Sequence, residues 1–199
     1  MRLLLLKRSF DFIISFTGII ISLPLWLLIG IMILIEDGFP IFYCQERMGK
    51  NRKVFRVLKF RSMVKDAEKQ GIWTNENDPR VTKIGRILRK TAMDELPCLL
   101  NILKGDMSFV GPKPLAVGEQ LMLEKKIPGF EKRLEVKPGL TGLAQVYNSD
   151  DDPYRKLQYD LEYIKKNNFL LDLKLFLLSF YNTFTFRWDK RSGKRRQQI

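Results

Sequence analysis

The sequence predicts a mainly α-helical fold with one small β-hairpin (α+β). It is carried on an N-terminal membrane helix that bends at Pro24 and re-enters, and the body has interfacial amphipathic helices. Three observations predict this. Residues 12–35 form a run of 24 residues without a charge, long enough to enter a bilayer. Residues 41–45 and 54–60 are two short β-rich runs around the polar turn Gly49-Lys50-Asn51. The rest of the chain is cut by Gly and Pro into helix-length segments. Three parts follow: a membrane-anchoring helix at 1–37, a folded domain at 38–186 and a basic tail at 187–199.

A cleaved signal peptide is a poor account of the first part, because the first alanine is Ala67 and no A-x-A-like site follows the apolar run. A helix kinked at Pro24 that spans the bilayer and a helix that enters and turns back both remain. Pro24 offers no N–H to the Ile20 carbonyl, and its ring clashes there. It divides the run into arms of 12 and 11 residues. Each arm is roughly 17 Å long at ~1.5 Å per residue, about half of a ~30 Å hydrocarbon core. The Ser22 hydroxyl is placed to bond a carbonyl freed at the bend. Arg2, Lys7 and Arg8 precede the run and a basic body follows it. A span would leave one basic flank outside, against the positive-inside tendency. Lengths and flanks favour the re-entrant form, although kinked spans are tolerated.

Gly38 to Pro40 closes the membrane segment, and the hairpin follows. Residues 62–70 read as a helix ending at Gly71, and 72–80 as a loop with Asn75, Asn77, Asp78 and Pro79. Residues 82–90 form a basic helix carrying Lys83, Arg86, Arg89 and Lys90. Leu96, Leu99, Leu100 and Leu103 recur at i, i+3, i+4 and i+7, one face of a helix that begins at Asp94-Glu95 and stops at Gly105. The Pro/Gly-punctuated stretch 108–114 precedes a helix over 115–126, and Pro138-Gly139 is a turn. Asp152-Pro153 is an N-cap followed by N1, opening a helix to about Lys166. Residues 169–186 are apolar but interrupted by Asp172 and Lys174, which suits an interfacial helix or a core helix. The tail sets six cations against Asp189, and anionic lipid attracts such a segment at ~1 kcal/mol per charge. Nucleic acid is the rival partner for it.

Lys and Arg number 35 against 22 Asp and Glu, a net charge of +13, which calls for a polyanionic partner. There is no histidine. That excludes Ser–His–Asp and Cys–His catalysis and every His-ligated metal site. Cys44 and Cys98 are too few for a disulfide framework or a thiolate zinc site. Chemistry must therefore run on carboxylates, cations, hydroxyls or the backbone.

Asp94-Glu95 has two accounts. Thr91 with Asp94 fits a capping box, and acids in a first turn answer the helix dipole. Alternatively, a carboxylate beside helix N–H groups and the cations Arg86, Arg89 and Lys90 stays ionised and attacks phosphorus. Such an attack needs Mg²⁺ or cations to mask charge between two anions. Asp150-Asp151-Asp152 reads as a solvated loop ending in an N-cap, with a metal site as the weaker account.

Four stretches carry a resemblance: QERMGKNRKVFRVLKFRSM (45–63), LRKTAMDELPCLLNILKGDMSFVGPKP (88–114), VKPGLTGLAQV (136–146) and YDLEYIKKNNFLLDLKLF (159–176). With the apolar N-terminus they cover nearly the whole chain, which resembles the monotopic phosphoglycosyl transferases, the bacterial sugar transferase family. The size is similar to that of minimal members, such as those transferring phospho-bacillosamine in bacterial N-glycosylation. The resemblance implies transfer of a sugar 1-phosphate from a UDP-sugar to polyprenol (undecaprenyl) phosphate, with release of UMP. It implies a re-entrant, monotopic anchor at the cytoplasmic face of the bacterial inner membrane, with a cytoplasmic catalytic domain, and anionic lipid rather than nucleic acid as the macromolecular partner. Homodimer formation is left open. Asp94 matches the nucleophile that forms a covalent phosphosugar intermediate. Glu95 matches the dyad's second acid. Mg²⁺ is the implied cofactor, with Asp94 as its protein ligand. Lys59, Arg61, Arg89, Lys113, Thr141 and Gln145 match substrate-binding positions, and Ser22 with Pro24 matches the membrane bend.

The chain departs from the family pattern in places. Pro112-Lys113-Pro114 stands where Pro-Arg-Pro is usual, so the charge is kept and the bidentate fork is lost. Leu143 replaces a usual Trp, and Tyr147-Asn148-Ser149 replaces an Asn-Gly-Arg-like run. Leu23 separates Ser22 from Pro24. The first three are donor-side positions, so the resemblance carries the reaction class and not the sugar. The alternative from another class is a non-catalytic basic membrane adaptor or a membrane-tethered nucleic-acid binder, which explains the charge but not the constellation at 88–114.

Overall fold

The computed structural model describes residues 2–71, 78–148 and 152–185. Part of the expected 72–80 loop, Asp150 and Asp151 of the acidic cluster, Ser149 and the basic tail lie outside the described residues.

Helix α1 runs from Arg2 to Asp37 with Pro24 in its interior. The helix runs through Pro24 without interruption, so the two arms belong to one helix. Ser22 Oγ donates to the Gly18 carbonyl at 2.6 Å, not to the Ile20 carbonyl deprived by Pro24. This is the i−4 back-bond that Ser makes inside helices. Asp11, Ser15, Ile29 and Ile33 are buried against the domain, and Gly18 abuts Leu99. These positions are spaced by three or four residues, or by the 11 residues of about three turns, and lie on one face of the helix. Ile13, Ile20, Ile21, Leu27 and Ile35 on the other faces are exposed.

Charged groups anchor both ends of α1. Arg8 donates to the Ile102 and Leu103 carbonyls at 2.7 and 2.6 Å. Lys7 donates to Asp172, Tyr163 and the Val110 carbonyl at 2.7–2.8 Å. At the far end the Glu36 carboxylate accepts from the Lys83 and Ile84 N–H groups. Lys7 and Arg8 are thus committed to the domain rather than free as a basic flank.

The hairpin pairs β1 (Phe42–Met48) with β2 (Val54–Phe60) in antiparallel register, Cys44 opposite Leu58. Residues 62–70 are not a helix: only a 3₁₀ turn, Ala67–Gln70, forms there, after Asp66 at φ 59°. Helix α2 (Lys83–Lys90) is capped by Thr82, whose side chain accepts from Gly85 N. Helix α3 (Cys98–Lys104) ends at Gly105 in the left-handed region. It begins later than expected, because a separate 3₁₀ turn, Met93–Glu95, holds the acidic pair. Asn101 stitches α3 to β2, donating to Arg56 O and accepting from Leu58 N.

The Pro/Gly-punctuated stretch contains β3 (Ser108–Val110), paired in parallel with β4 (Gly139–Thr141). Gly111 N donates to Thr141 O and Gly139 N to Pro112 O, at 2.8 and 2.9 Å. A Cβ on Gly139 would stand 2.1 Å from Gly111 N, so the two loops meet backbone to backbone only because both carry glycine. Helix α4 (Val117–Lys126), the short α5 (Leu143–Tyr147) and α6 (Pro153–Lys166) follow. Asp152 caps α6 through Tyr154 N and Arg155 N, as the Asp-Pro pair predicts. Helix α7 (Phe169–Phe184) is both core and surface. Leu175 and Asp172 are buried, whereas Leu170, Leu177, Phe180 and Tyr181 are exposed. Asp172 therefore does not interrupt the apolar face towards solvent; it turns inward to Lys7 and Tyr163.

Candidate active site

Asp94 and Glu95 sit on the 3₁₀ turn between α2 and α3. Ala92 at φ 55° ends α2 in the left-handed region and redirects the chain. Thr91 is spent on α2, its hydroxyl donating to the Ile87 and Leu88 carbonyls. The expected capping box therefore does not form, and the Glu95 and Leu96 N–H groups bond Ala92 O and Met93 O rather than awaiting a phosphate. Met93 and Leu96 pack into the cluster of Ile29, Ile33, Phe60 and Leu88, so α1 backs the turn.

Lys59 reaches the pair from β2. It shares a strand face with Phe55 and Val57, whose side chains are in the core. Its ammonium hydrogen-bonds Glu95 Oε1, and Lys113 reaches the same oxygen at 3.2 Å. The two lysines differ in freedom: the Lys59 side chain is 21% exposed and that of Lys113 is 52% exposed. Among the described residues the Asp94 carboxylate makes no ion pair.

This asymmetry sets the charges. Burial raises the Asp94 carboxyl, and the lysines and Arg89 offset that only in part, leaving it pushed up to about 6. Burial also works against the Glu95 carboxylate, but Lys113 and Lys59 overcome it and hold Glu95 well below the usual carboxylate range. Burial lowers Lys59, and Glu95 with Asp94 more than restores it. Cys98, one helical turn on, is pushed up to about 12 by burial and then by Glu95. It is a thiol that donates to Leu58 O at 3.2 Å, not a nucleophile. A small open cleft lies here, lined by Lys59, Glu95, Lys113, Arg47, Cys98 and Leu140 among others.

Among the described residues no cluster of three or more acidic, Cys or His side chains exists to hold a metal unaided. The donor set still fits Mg²⁺, which is commonly bound by one or two carboxylates together with substrate phosphates. Asp94 presents hard oxygens that no lysine occupies.

The sequence-nominated residues divide. Asp94, Glu95, Lys59 and Lys113 are brought together, and Arg89, in the last turn of α2, acts on Asp94 through its charge. Arg61 is elsewhere: its buried guanidinium donates to the Asp37 and Gly38 carbonyls and pairs with Asp37. It ties the end of α1 to the domain instead of facing the dyad. Thr141 is buried and its hydroxyl accepts from Ser179 of α7. Gln145 lies in α5, its Oε1 beside Gly142. Sequence reasoning passed over Arg47 and Arg133, which hold the carbonyls of the Lys113 loop. Arg47 stands inside the first resemblance stretch, a signal for it. Arg133 has no local signal of its own.

The bacterial sugar transferase family model matches residues 2–186. The chain is 36% identical over 187 residues to UDP-glucose:undecaprenyl-phosphate glucose-1-phosphate transferase of Escherichia coli K12, covering 90% of this chain and 40% of that protein. It is 38% identical over 183 residues to the exopolysaccharide production protein PSS of Rhizobium leguminosarum, covering 86% and 92%. A third relative is the UDP-N-acetylgalactosamine-undecaprenyl-phosphate N-acetylgalactosaminephosphotransferase of Aeromonas hydrophila, 38% identical over 173 residues and covering 84% and 41%. Some relatives are thus much longer than the chain, which spans 40% of the Escherichia coli protein, while the Rhizobium protein is of similar length.

Proposed function

The chain belongs to the bacterial sugar transferase family, and from that premise we propose that it transfers a sugar 1-phosphate from a UDP-sugar to polyprenol (undecaprenyl) phosphate, releasing UMP and initiating glycan assembly. The observation that carries the proposal is the unequal dyad. Glu95 is neutralised by two lysines, while Asp94, beside it on the same turn, makes no ion pair among the described residues. That leaves one carboxylate to organise cations and one to act as nucleophile.

The UDP-sugar diphosphate enters the cleft and draws on Lys59, Arg89 and the exposed Lys113 ammonium. An Asp94 oxygen attacks the sugar-side phosphorus. The bond from that phosphorus to the UMP oxygen breaks, and UMP leaves with the electron pair. The phosphosugar is now an acyl phosphate on Asp94. An oxygen of polyprenol phosphate then attacks the same phosphorus, the Asp94–phosphorus bond breaks, and the carboxylate is regenerated. One phosphoanhydride is consumed and another is made, and the mixed anhydride between them keeps the group activated. Asp94, with the donor's phosphates, is the residue to hold Mg²⁺, which when bound masks charge between the two anions.

The packing of α1 supports a monotopic, re-entrant placement, which the reading assigns to the cytoplasmic face. A helix of 36 residues is about 54 Å long, and the domain touches it at Lys7 and Arg8 near one end and at Glu36 near the other. A helix standing across the bilayer would carry the domain into hydrocarbon with it. The exposed apolar faces of α1 and α7 are the surfaces for lipid, and the excess of cations suits anionic headgroups.

The test is UMP release by the purified protein, with Mg²⁺ and polyprenol phosphate, across a panel of UDP-sugars. Release with at least one donor, abolished in Asp94→Asn, is expected. No release with any donor would overturn the assignment.

A further inference from the structure

The loop Pro112-Lys113-Pro114 has an unusual hydrogen-bonding problem. Both prolines lack an N–H, so the loop is short of donors with which to hold its own conformation. Its carbonyls are instead taken one by one from outside. Gly139 N donates to Pro112 O at 2.9 Å. Arg133 Nη2 donates to Lys113 O at 2.8 Å. Arg47 Nη1 donates to Pro114 O at 3.1 Å, and Met48 N donates to Leu115 O at 3.0 Å.

Arg133 is the member whose geometry is most constrained. It is buried, as are Asp160 and Gln120. Its Nε donates to Asp160 Oδ2 at 2.9 Å, and its Nη1 to Gln120 Oε1 at 3.2 Å. The guanidinium stacks over the Phe130 ring, 5.2 Å from its centroid. One planar fork therefore ties α6, α4 and the Phe130–Glu135 turn to the carbonyl of Lys113. A lysine ammonium at this position has no comparable planar geometry.

We propose that Arg133 is a positioning residue, whose guanidinium, oriented by Asp160 and Gln120, fixes the Lys113 backbone and so sets where the Lys113 ammonium stands between Glu95 and the donor's phosphates. The proposal deepens the transferase assignment and rests on it. It also accounts for how a single-point lysine can work where a planar fork is usual: the fork is supplied one layer back, on the carbonyl. Arg133 touches neither Asp94 nor Glu95 in the structure, so its effect on the reaction passes through Lys113.

The test is a double-mutant cycle on the full chain, with UMP release measured against donor concentration and thermal melting measured for every variant. Lys113→Ala is expected to lower kcat/KM through a raised donor KM, by roughly 10- to 150-fold. Arg133→Gln is expected to do the same by roughly 10-fold, since misplacing a group costs up to ~100-fold. The double variant is expected to match Lys113→Ala within about 2-fold, the coupling of two residues on one path. Losses that multiply, or an Arg133→Gln loss confined to kcat, would overturn the proposal, because a merely structural role adds its cost whatever stands at 113. Arg133→Lys retains the buried charge beside Asp160 and is read in the same cycle if Arg133→Gln is not recovered folded. Wild-type protein that releases no UMP would instead count against the transferase assignment itself.

Discussion

Amide replacements of the two adjacent carboxylates shift stability in opposite directions. Asp94 has a folded-state value of about 6 against 3.8 unfolded. Between these values the folded chain holds more protons than the unfolded one, so this group's contribution to stability declines as pH rises through the window. Above pH 6 the full cost, 1.36 kcal/mol per pH unit of displacement, is about 3 kcal/mol. Asp94 is partly exposed, and solvent screening reduces this to about 1–2 kcal/mol. Asn at 94 does not incur that cost. Asp94→Asn is therefore expected to melt higher at pH 7.5 by several degrees, at ~2–4 °C per kcal/mol for a chain of this size. The gain should roughly halve by pH 5, where the native carboxyl is largely protonated. Glu95 has the inverse sign. Its carboxyl is held below the ordinary 4.5, so its contribution is present above that value and lost as pH falls. Glu95→Gln leaves Lys59 and Lys113 without their acceptor. Breaking a fully buried pair costs ~3–5 kcal/mol. With the Glu95 side chain 19% exposed, a loss of about 1–3 kcal/mol is expected. Thermal melts in one detergent at the two pH values read both effects. An Asp94→Asn protein no more stable than wild type at pH 7.5, or a gain unchanged at pH 5, would refute the charge assignment.

Lys7→Met should lower stability by about 3–5 kcal/mol, read by melting, because it strands the buried Asp172 carboxylate; Lys7→Met with Asp172→Leu should recover much of it. Gly139→Ala should abolish UMP release, since its Cβ would lie 2.1 Å from Gly111 N and 2.4 Å from Thr141 O, whereas Gly118→Ala, with nothing within 4 Å, should leave release unchanged. Single cysteines placed at positions 5 and 50 should both be shielded from an impermeant thiol reagent in intact cells, because the domain grips both ends of α1; labelling at position 5 alone would favour a span.

The elements that were legible are those with local causes. Asp152-Pro153 opens α6, Gly105 closes α3, and the hairpin brackets its polar turn, because caps and turns are decided by a few adjacent residues. The β3–β4 pair was hidden, since each strand has three residues and the partner lies about 30 positions away. The apolar character of α1 concealed a domain-facing stripe of Asp11, just ahead of the uncharged run, with Ser15 and Gly18 within it, whose helical spacing was available as a signal. In the site, Asp94, Glu95, Lys59 and Lys113 came from motif resemblance. Asp94 and Glu95 also had a physical cue in the cations of the preceding helix, and Lys59 had one in its place on the core face after Phe55 and Val57. Arg61 and Arg89 look alike in sequence, and only tertiary packing sends Arg61 to Asp37 at the end of α1. Arg133 became visible through Asp160, an acid on the buried face of α6 between Leu157 and Tyr163.

The central claim is that Asp94 carries the phosphosugar, and a lipid-free half-reaction tests it most directly. Enzyme, Mg²⁺ and the productive UDP-sugar are mixed without polyprenol phosphate, and UMP and protein-bound sugar are followed on the millisecond-to-second scale. A burst of up to one equivalent of UMP is expected, with an adduct on the protein that hydroxylamine removes, and Asp94→Asn should show neither. Steady-state kinetics with both substrates should then give parallel double-reciprocal lines. No UMP until polyprenol phosphate is added, together with intersecting lines, would mean direct transfer in a ternary complex and would leave Asp94 without its role as nucleophile.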